Sequence, residues 1–284
     1  MKTYLVPIDF SEAAFNAADY AAHLSKQTDV THIILMNAYY ISSYETLLPD
    51  PNMLMLREEE IEENAADRLK GLNNLKQRLQ SEVREGVTIT TRLNRSHLLR
   101  AVVDTVANEH ADLVILGSIG NSTVRENNEG IGSHVIKISK ACPVPVIVVQ
   151  PDYRYQPIHK AVVACDFKRV KENLPTEALH KLLSKYPIKL LVVNVDPKGK
   201  HAYADAQQMA EETALHAMLK DLKPEYHYIT QPEVIRGVLD FAANHNAQMV
   251  IALPHTYSFL QSILHDSISK QLATSSSVPV LLLK

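Results

Sequence analysis

The stretch LGSIGNSTVRENNEGIGSHV, Leu116 to Val135, holds four of the eight glycines in this 284-residue chain: Gly117, Gly120, Gly130 and Gly132. Glycine is costly inside regular structure and is used where backbone must turn with positive φ or approach another group closely. These glycines follow the apolar run Asp112–Gly117 and precede a segment in which Val135, Ile138 and Cys142 fall on one helical face. A helix is therefore expected to begin at Ser133. A glycine-rich turn feeding a helix N-terminus presents unpaired N–H groups and the positive end of the helix dipole, which suits phosphate. Ser133 fits there either as N-cap or as a hydroxyl donor to a phosphate oxygen. The alternative is a loop that needs glycine only for turning.

Other chemistries lack their residues. No GxxxxGK[ST] occurs, and GIGSHV, half of a dinucleotide fingerprint, follows the fourth apolar run instead of the first. The chain contains no HExxH, no GxSxG and no paired Cys/His ligand spacing. His255 and His265 stand ten residues apart, which fits no standard metal pattern and leaves them as solvent or packing histidines. No catalytic residue, no general base and no metal ligand is assigned.

The elements that must position the glycine stretch come in two copies. TYLVPIDF near the start recurs as KAVVACDF ending at Phe167; HADLVILG (His110–Gly117) recurs as NAQMVIAL (Asn246–Leu253); CPVPVIVVQ (Cys142–Gln150) recurs as SSVPVLLLK at the C-terminus. Three landmarks in the same order indicate a duplication. The boundary falls in QPDYRYQP, where two prolines and polar residues break both periodicities. The expected organisation is a first domain over 1–150, a linker over 151–157 and a second domain over 158–284. Within each copy short β-branched runs alternate with amphipathic stretches, the pattern of a parallel sheet covered on both faces by helices. Each half is therefore expected to be an α/β domain with five strands. Ser11 and Ser96 are expected as N-caps, and the row Ala14, Ala17, Ala18, Ala21, Ala22 lets the first helix lie close to the sheet. Residues 39–55, with two prolines and no clean period, read as a long loop or lid edge whose Tyr39, Tyr40 and Tyr44 pack at the surface or cover a ligand.

Composition bounds the partners. With 29 basic and 32 acidic residues the net charge is −3, which argues against general nucleic-acid or anionic-membrane binding. The longest apolar runs are strand-length, far short of a membrane span. The start MKTYLVPIDF lacks a signal-peptide pattern, and Cys142 and Cys165 read as two buried reduced thiols, so a cytoplasmic location is expected.

VPIDFSEAA after the first strand, G-xx-G-x(9–11)-G-S after the fourth and the closing CPVPVIVV together resemble the universal stress protein family, in both halves. The chain thus looks like a tandem member. The resemblance implies two flavodoxin-like, adenine-nucleotide-binding-like domains, each a five-stranded parallel sheet in the order 3-2-1-4-5. It implies ATP or AMP as ligand, with Mg2+ as an optional companion, in members that carry the glycine motif. Carried over by residue, the adenosine-proximal aspartate is Asp9, with Pro7 and Ile8 lining the same turn. The residue whose backbone meets adenine is Ala38. The phosphate and ribose loop is Gly117, Gly120, Gly130, Gly132 and Ser133, with the N–H groups of His134 and Val135 at the helix start. Asp9 also reads as a turn-forming or helix-capping carboxylate. The family also implies that the last strands of the two halves, Val144–Val149 and Val278–Leu283, pair antiparallel within the chain as an internal pseudo-dimer, with homodimerisation left open.

One departure stands out. Nine residues separate Gly120 from Gly130, which is followed by Ile131; the Gly-Ser pair, Gly132-Ser133, is two residues later. Either the loop bulges and the motif survives, or the cradle is reshaped. Glu126 and Glu129 bring negative charge to it, and Arg125 the reverse. In the second half, Leu253 and Thr256 replace the glycines, Asp266-Ser267 ends the count, and Lys168 and Arg169 follow Asp166. That half is read as a degenerate domain without nucleotide. Two functions remain: a nucleotide-binding stress-response or signalling module with its site in the first half, or an interaction protein that docks a protein partner or another small ligand.

Overall fold

The computed structural model describes residues 2–41, 51–118, 133–165, 187–197, 199, 206–252 and 276–283; for 51–57, 133, 134, 136 and 206–208 it describes backbone only. The first half runs β1 (Thr3–Pro7), α1 (Glu12–Leu24), β2 (His32–Ala38), α2 (Pro51–Leu79), β3 (Thr88–Asn94), α3 (Leu98–Glu109), β4 (Leu113–Gly117), α4 (Ser133–Ala141) and β5 (Val146–Val149). The second runs β6 (Lys160–Ala164), β7 (Lys189–Asp196), α5 (Ala206–Leu219), β8 (Glu225–Thr230), α6 (Val234–Asn244), β9 (Met249–Ala252) and β10 (Val280–Leu282). All ten strands form one sheet, ordered β3-β2-β1-β4-β5-β10-β9-β6-β7-β8. Every neighbouring pair is parallel except β5 and β10, which run antiparallel with Val148 opposite Val280 and Val146 opposite Leu282.

Burial explains the continuous apolar runs. Tyr4, Leu5 and Val6 of β1 and Ile33 to Met36 of β2 are at most 1% exposed, because helices cover both faces of the sheet. Strands β3 and β8 at the two edges carry mixed sequences and are only half-buried. The core is continuous across the β5–β10 junction, joining Ile147 and Val149 to Val280 and Leu281.

Helix α1 starts at the expected cap: Ser11 Oγ accepts from the Ala14 N–H at 3.2 Å. Its alanines are buried, and the close approach they allow is visible at Gly117. A Cβ on Gly117 would lie 2.6 Å from the Ala13 carbonyl oxygen. Ser96 does not cap α3; His97 occupies that position, while the Ser96 hydroxyl donates to Asn94 Oδ1 at 2.8 Å. The local turn claims the serine before the helix can. The expected loop over residues 39–55 is also shorter: α2 already runs from Pro51, a residue whose fixed φ suits a first helical turn. Tyr44 lies outside the described residues.

The duplication repeats hydrogen bonds as well as elements. His110 and Asn246, equivalent residues before β4 and β9, both take left-handed backbone with φ of 50° and 51°. Asp112 Oδ2 accepts from the N–H groups of Lys2 and Thr3 at 2.6 and 3.0 Å, and Gln248 Oε1 accepts from those of His159 and Lys160, both at 2.9 Å. The side chain that begins one strand thus ties down the start of its neighbour in both halves. Between them, Tyr153 and Tyr155 pack on Tyr20, with ring centroids 6.1 and 5.4 Å away. Asn16 Nδ2 donates to the carbonyls of Gln150 and Tyr153 at 2.7 and 2.9 Å, so the connecting segment is bound to α1.

Candidate functional site

In an open parallel sheet, ligands bind beyond the carboxyl ends of the strands, where the strand order reverses. Here β1 lies between β2 and β4, so the chain leaves β1 toward one side and reaches β4 on the other. Register Tyr4↔Leu113 and Leu5↔Val114 puts Asp9 and Ser118 at matching heights past the ends of the two strands. The reversal therefore faces Asp9 on one side and Gly117-Ser118 on the other.

The turn after β1 is tightly determined. The Ile8 N–H donates to the Met36 carbonyl at 2.7 Å, and Asn37 Nδ2 donates to the Ile8 carbonyl at 2.6 Å. Asn37 is 1% exposed, and its Oδ1 accepts from Arg68 at 3.2 Å. Phe10 then takes φ of 63°, a left-handed conformation uncommon for a bulky residue. Its ring fills the space above Gly71, where a Cβ would meet Phe10 Cε1 at 2.8 Å. Asp9 Oδ1 accepts from the Ser11 N–H at 3.0 Å and from the Ser11 hydroxyl at 2.6 Å. Asp9 thus holds the start of α1, the turn-forming role that its sequence context allows.

Of the residues expected at the site, Pro7, Ile8, Asp9, Ala38 and Gly117 converge on the carboxyl ends of β1, β2 and β4. Ala38 is half-buried, paired with Asn94 of β3. Gly120, Gly130 and Gly132 lie outside the described residues. Helix α4 begins at Ser133, so the N–H groups of Ser133, His134 and Val135 belong to its first turn and have no intrahelical acceptors. Val135 packs against the core, and Ile138 and Cys142 are 1% exposed, the apolar face read from the sequence. Ser118 is 4% exposed and its hydroxyl has no partner among the described residues. A buried hydroxyl without a partner is costly, and a polar ligand at this strand end would satisfy it. Together, the Asp9 carboxylate as acceptor, the first-turn N–H groups of α4 and the buried Ser118 hydroxyl fit a ribose phosphate. Among the described residues no cluster of His, Cys, Asp or Glu is arranged to hold a metal ion. No helix among them is long and apolar enough to cross a membrane.

Sequence reasoning passed over Asn37, Phe10 and Arg68. The signal for Asn37 was present: a polar residue inside an apolar strand in both halves, LMNAY and VVNVD. Its counterpart Asn194 is 6% exposed and donates to the Cys165 carbonyl at 2.8 Å. Asp166, Lys168, Arg169, Leu253, Thr256, His255, His265, Asp266 and Ser267 lie outside the described residues. Cys142 and Cys165 are both buried and are not joined in a disulfide.

Two parallel α/β halves with a strand-order reversal, joined edge to edge, define a tandem α/β protein of the flavodoxin-like kind. The model of the universal stress protein family matches residues 1–150 and again 157–284, and the chain belongs to that family with two of its domains. Among solved structures, a universal stress protein of Archaeoglobus fulgidus DSM 4304 is 18% identical with a TM-score of 0.64, covering 99% of this chain and 96% of its own. A protein of Pseudomonas aeruginosa UCBPP-PA14 assigned to the same family is 14% identical with a TM-score of 0.59, covering 100% and 93%. A universal stress protein solved in complex with cAMP matches 53% of this chain and 98% of its own at 21% identity, with a TM-score of 0.37. No curated protein matches the chain.

Proposed function

We propose that this tandem universal stress protein binds one adenine nucleotide, ATP or AMP, in its first domain and acts as a nucleotide-responsive stress or signalling module. The observation that carries the reading is the register that sets Asp9 level with Gly117-Ser118 on the two sides of the strand-order reversal. Asp9 accepts a ribose or adenine hydrogen bond, Pro7, Ile8 and the Ala38 backbone line the base, and Ser118 and the first turn of α4 face the phosphates. Gly120, Gly130, Gly132 and Ser133 supply the remaining cradle, with Mg2+ as an optional companion of the phosphates. The second domain, past a linker at 151–157, binds no nucleotide and serves structure or a protein partner. Reduced thiols at Cys142 and Cys165 fit a cytoplasmic setting.

Calorimetric titration of the full chain with ATP tests this. One site per chain is expected, weakened at least tenfold in Asp9→Ala, with Asp166→Ala unchanged. An equal loss in both variants would refute the single-site assignment, and absence of any ATP response would refute the reading.

A further inference from the structure

Beyond the Asp9 crevice, the carboxyl ends of β2 and β3 gather a second group of residues. Tyr39 directly follows Ala38, is 9% exposed, and its N–H donates to the Asn94 carbonyl at 2.9 Å. Two arginines converge on its ring from different elements. Arg68 of α2 places its Cζ 5.3 Å from the ring centroid. Arg95, just past β3, donates from Nε to Tyr39 Oη at 2.7 Å, with its Cζ 6.0 Å from the centroid. The short bond to the hydroxyl puts Arg95 at the edge of the ring. Just beyond Tyr39 and Arg95, Tyr40 and His97 stack with centroids 3.8 Å apart and planes at 20°. Both are exposed.

Arg78, Arg92, Arg100 and Arg236 each face a carboxylate, and Arg84 donates to the carbonyls of Ser25 and Val30. Arg154, exposed on the connecting segment, lines a cleft that also holds Asp19 and Glu82. Arg68 and Arg95 instead share one neutral ring, with no carboxylate partner among the described residues. A neutral ring cancels neither charge, so two guanidiniums at one strand end favour an anion beside them. Each guanidinium carries five N–H donors in a planar fork, and Asn37 and Tyr39 occupy one on each. The rest match the oxygens of a phosphoryl group, which such forks bind in bidentate fashion.

We propose that Arg68 and Arg95 form a phosphoryl-binding site at the β2–β3 end, mounted on Tyr39 and separate from the segment between β4 and α4. The phosphoryl group comes either from the nucleotide in the adjoining crevice or from a second phosphorylated ligand. The test is calorimetric titration of the full chain with inorganic pyrophosphate and, separately, with ATP, at low ionic strength. Arg95→Gln and Arg68→Gln are compared with Arg100→Gln, which removes the same charge from an exposed surface pair. Wild-type chain is expected to bind pyrophosphate, at least tenfold more weakly in Arg95→Gln and within twofold of wild type in Arg100→Gln. Should Arg68→Gln fail to fold, the exposed Arg95 decides alone. A matching loss of ATP affinity in Arg95→Gln assigns the phosphoryl group to the nucleotide. Unchanged ATP affinity assigns it to a separate ligand. A chain that takes pyrophosphate through Arg95 yet ignores ATP refutes the nucleotide reading and leaves this site standing. No pyrophosphate binding, or equal losses in Arg95→Gln and Arg100→Gln, overturns the proposal.

Discussion

Asn37 shows how much the turn after β1 depends on one side chain. Its amide bridges the Ile8 carbonyl and the Arg68 guanidinium from a fully buried position, and Asn194 repeats the first bond to Cys165. Asn37→Leu keeps the volume and strands a buried carbonyl, so it is expected to cost about 1–3 kcal/mol. Asn194→Leu is expected to cost a similar amount; denaturant unfolding of the two variants checks both. A neutral result at either would show that its carbonyl is satisfied some other way. Gly117 is a second case. Its glycine was read from sequence as room for phosphate, and the structure supplies another demand, the Ala13 backbone. Gly117→Ala is expected to destabilise the fold by about 1–3 kcal/mol through overpacking, with or without ligand. If its stability matched wild type while ATP affinity fell, the glycine would be serving the ligand alone.

At the level of elements, the β-branched runs and helical stripes were legible because burial dictates them. Strands β1 to β5 fall within a residue or two of the apolar runs, and α1 begins at its serine cap. What pattern could not show was set by tertiary contact. Ser96 is drawn off by Asn94, and α2 reaches back to Pro51 through a segment with no clean hydrophobic period. The candidate site was legible in its strand-end residues, since a duplicated Asp-Phe after an apolar run marks the turn. The arginines around Tyr39 were not, because Arg68 comes from a helix that sequence places at no particular distance. Strands β2 and β8 also carry a titration. His32 opens β2, its Nε2 lying 2.7 Å from Thr90 Oγ1 of β3, and burial holds its pKa below the usual 6.5. Burial, with the nearby His245, does the same to His227 of β8, outweighing Glu225 at 3.9 Å. The folded state therefore prefers both imidazoles neutral, so the unfolded chain binds more protons as the solution acidifies. Their contribution is complete above the ordinary histidine range and lost as pH falls through the lowered folded values. The melting temperature is expected to be flat above about pH 7 and to fall toward pH 5. Replacing both histidines with glutamine should flatten that slope; an unchanged slope would place the titration elsewhere.

Across the whole molecule, the described strands form a single ten-stranded sheet whose two halves share a core through β5 and β10. Edge strands invite pairing with other chains, and this junction uses two of the four edges that separate halves would expose. Leu281, 1% exposed between β5 and β9, sits at the seam. Leu281→Ala is expected to cost about 2–5 kcal/mol and to shift one cooperative calorimetric transition as a unit. Two transitions, with only the second half shifted, would show that the halves unfold independently. The asymmetry between those halves is the centre of the functional account. Both copies keep the strand ties at Asp112 and Gln248 and the asparagine clamps, while the glycine stretch from Gly117 to Gly132 has no glycine counterpart in the second. The most direct test is to release bound small molecules from freshly purified full-length chain with acid and to quantify adenine nucleotide by chromatography. The account predicts ATP or AMP at up to one per chain, lost in Asp9→Ala and retained in Asp166→Ala. No adenine nucleotide, together with no response to added ATP, would contradict it.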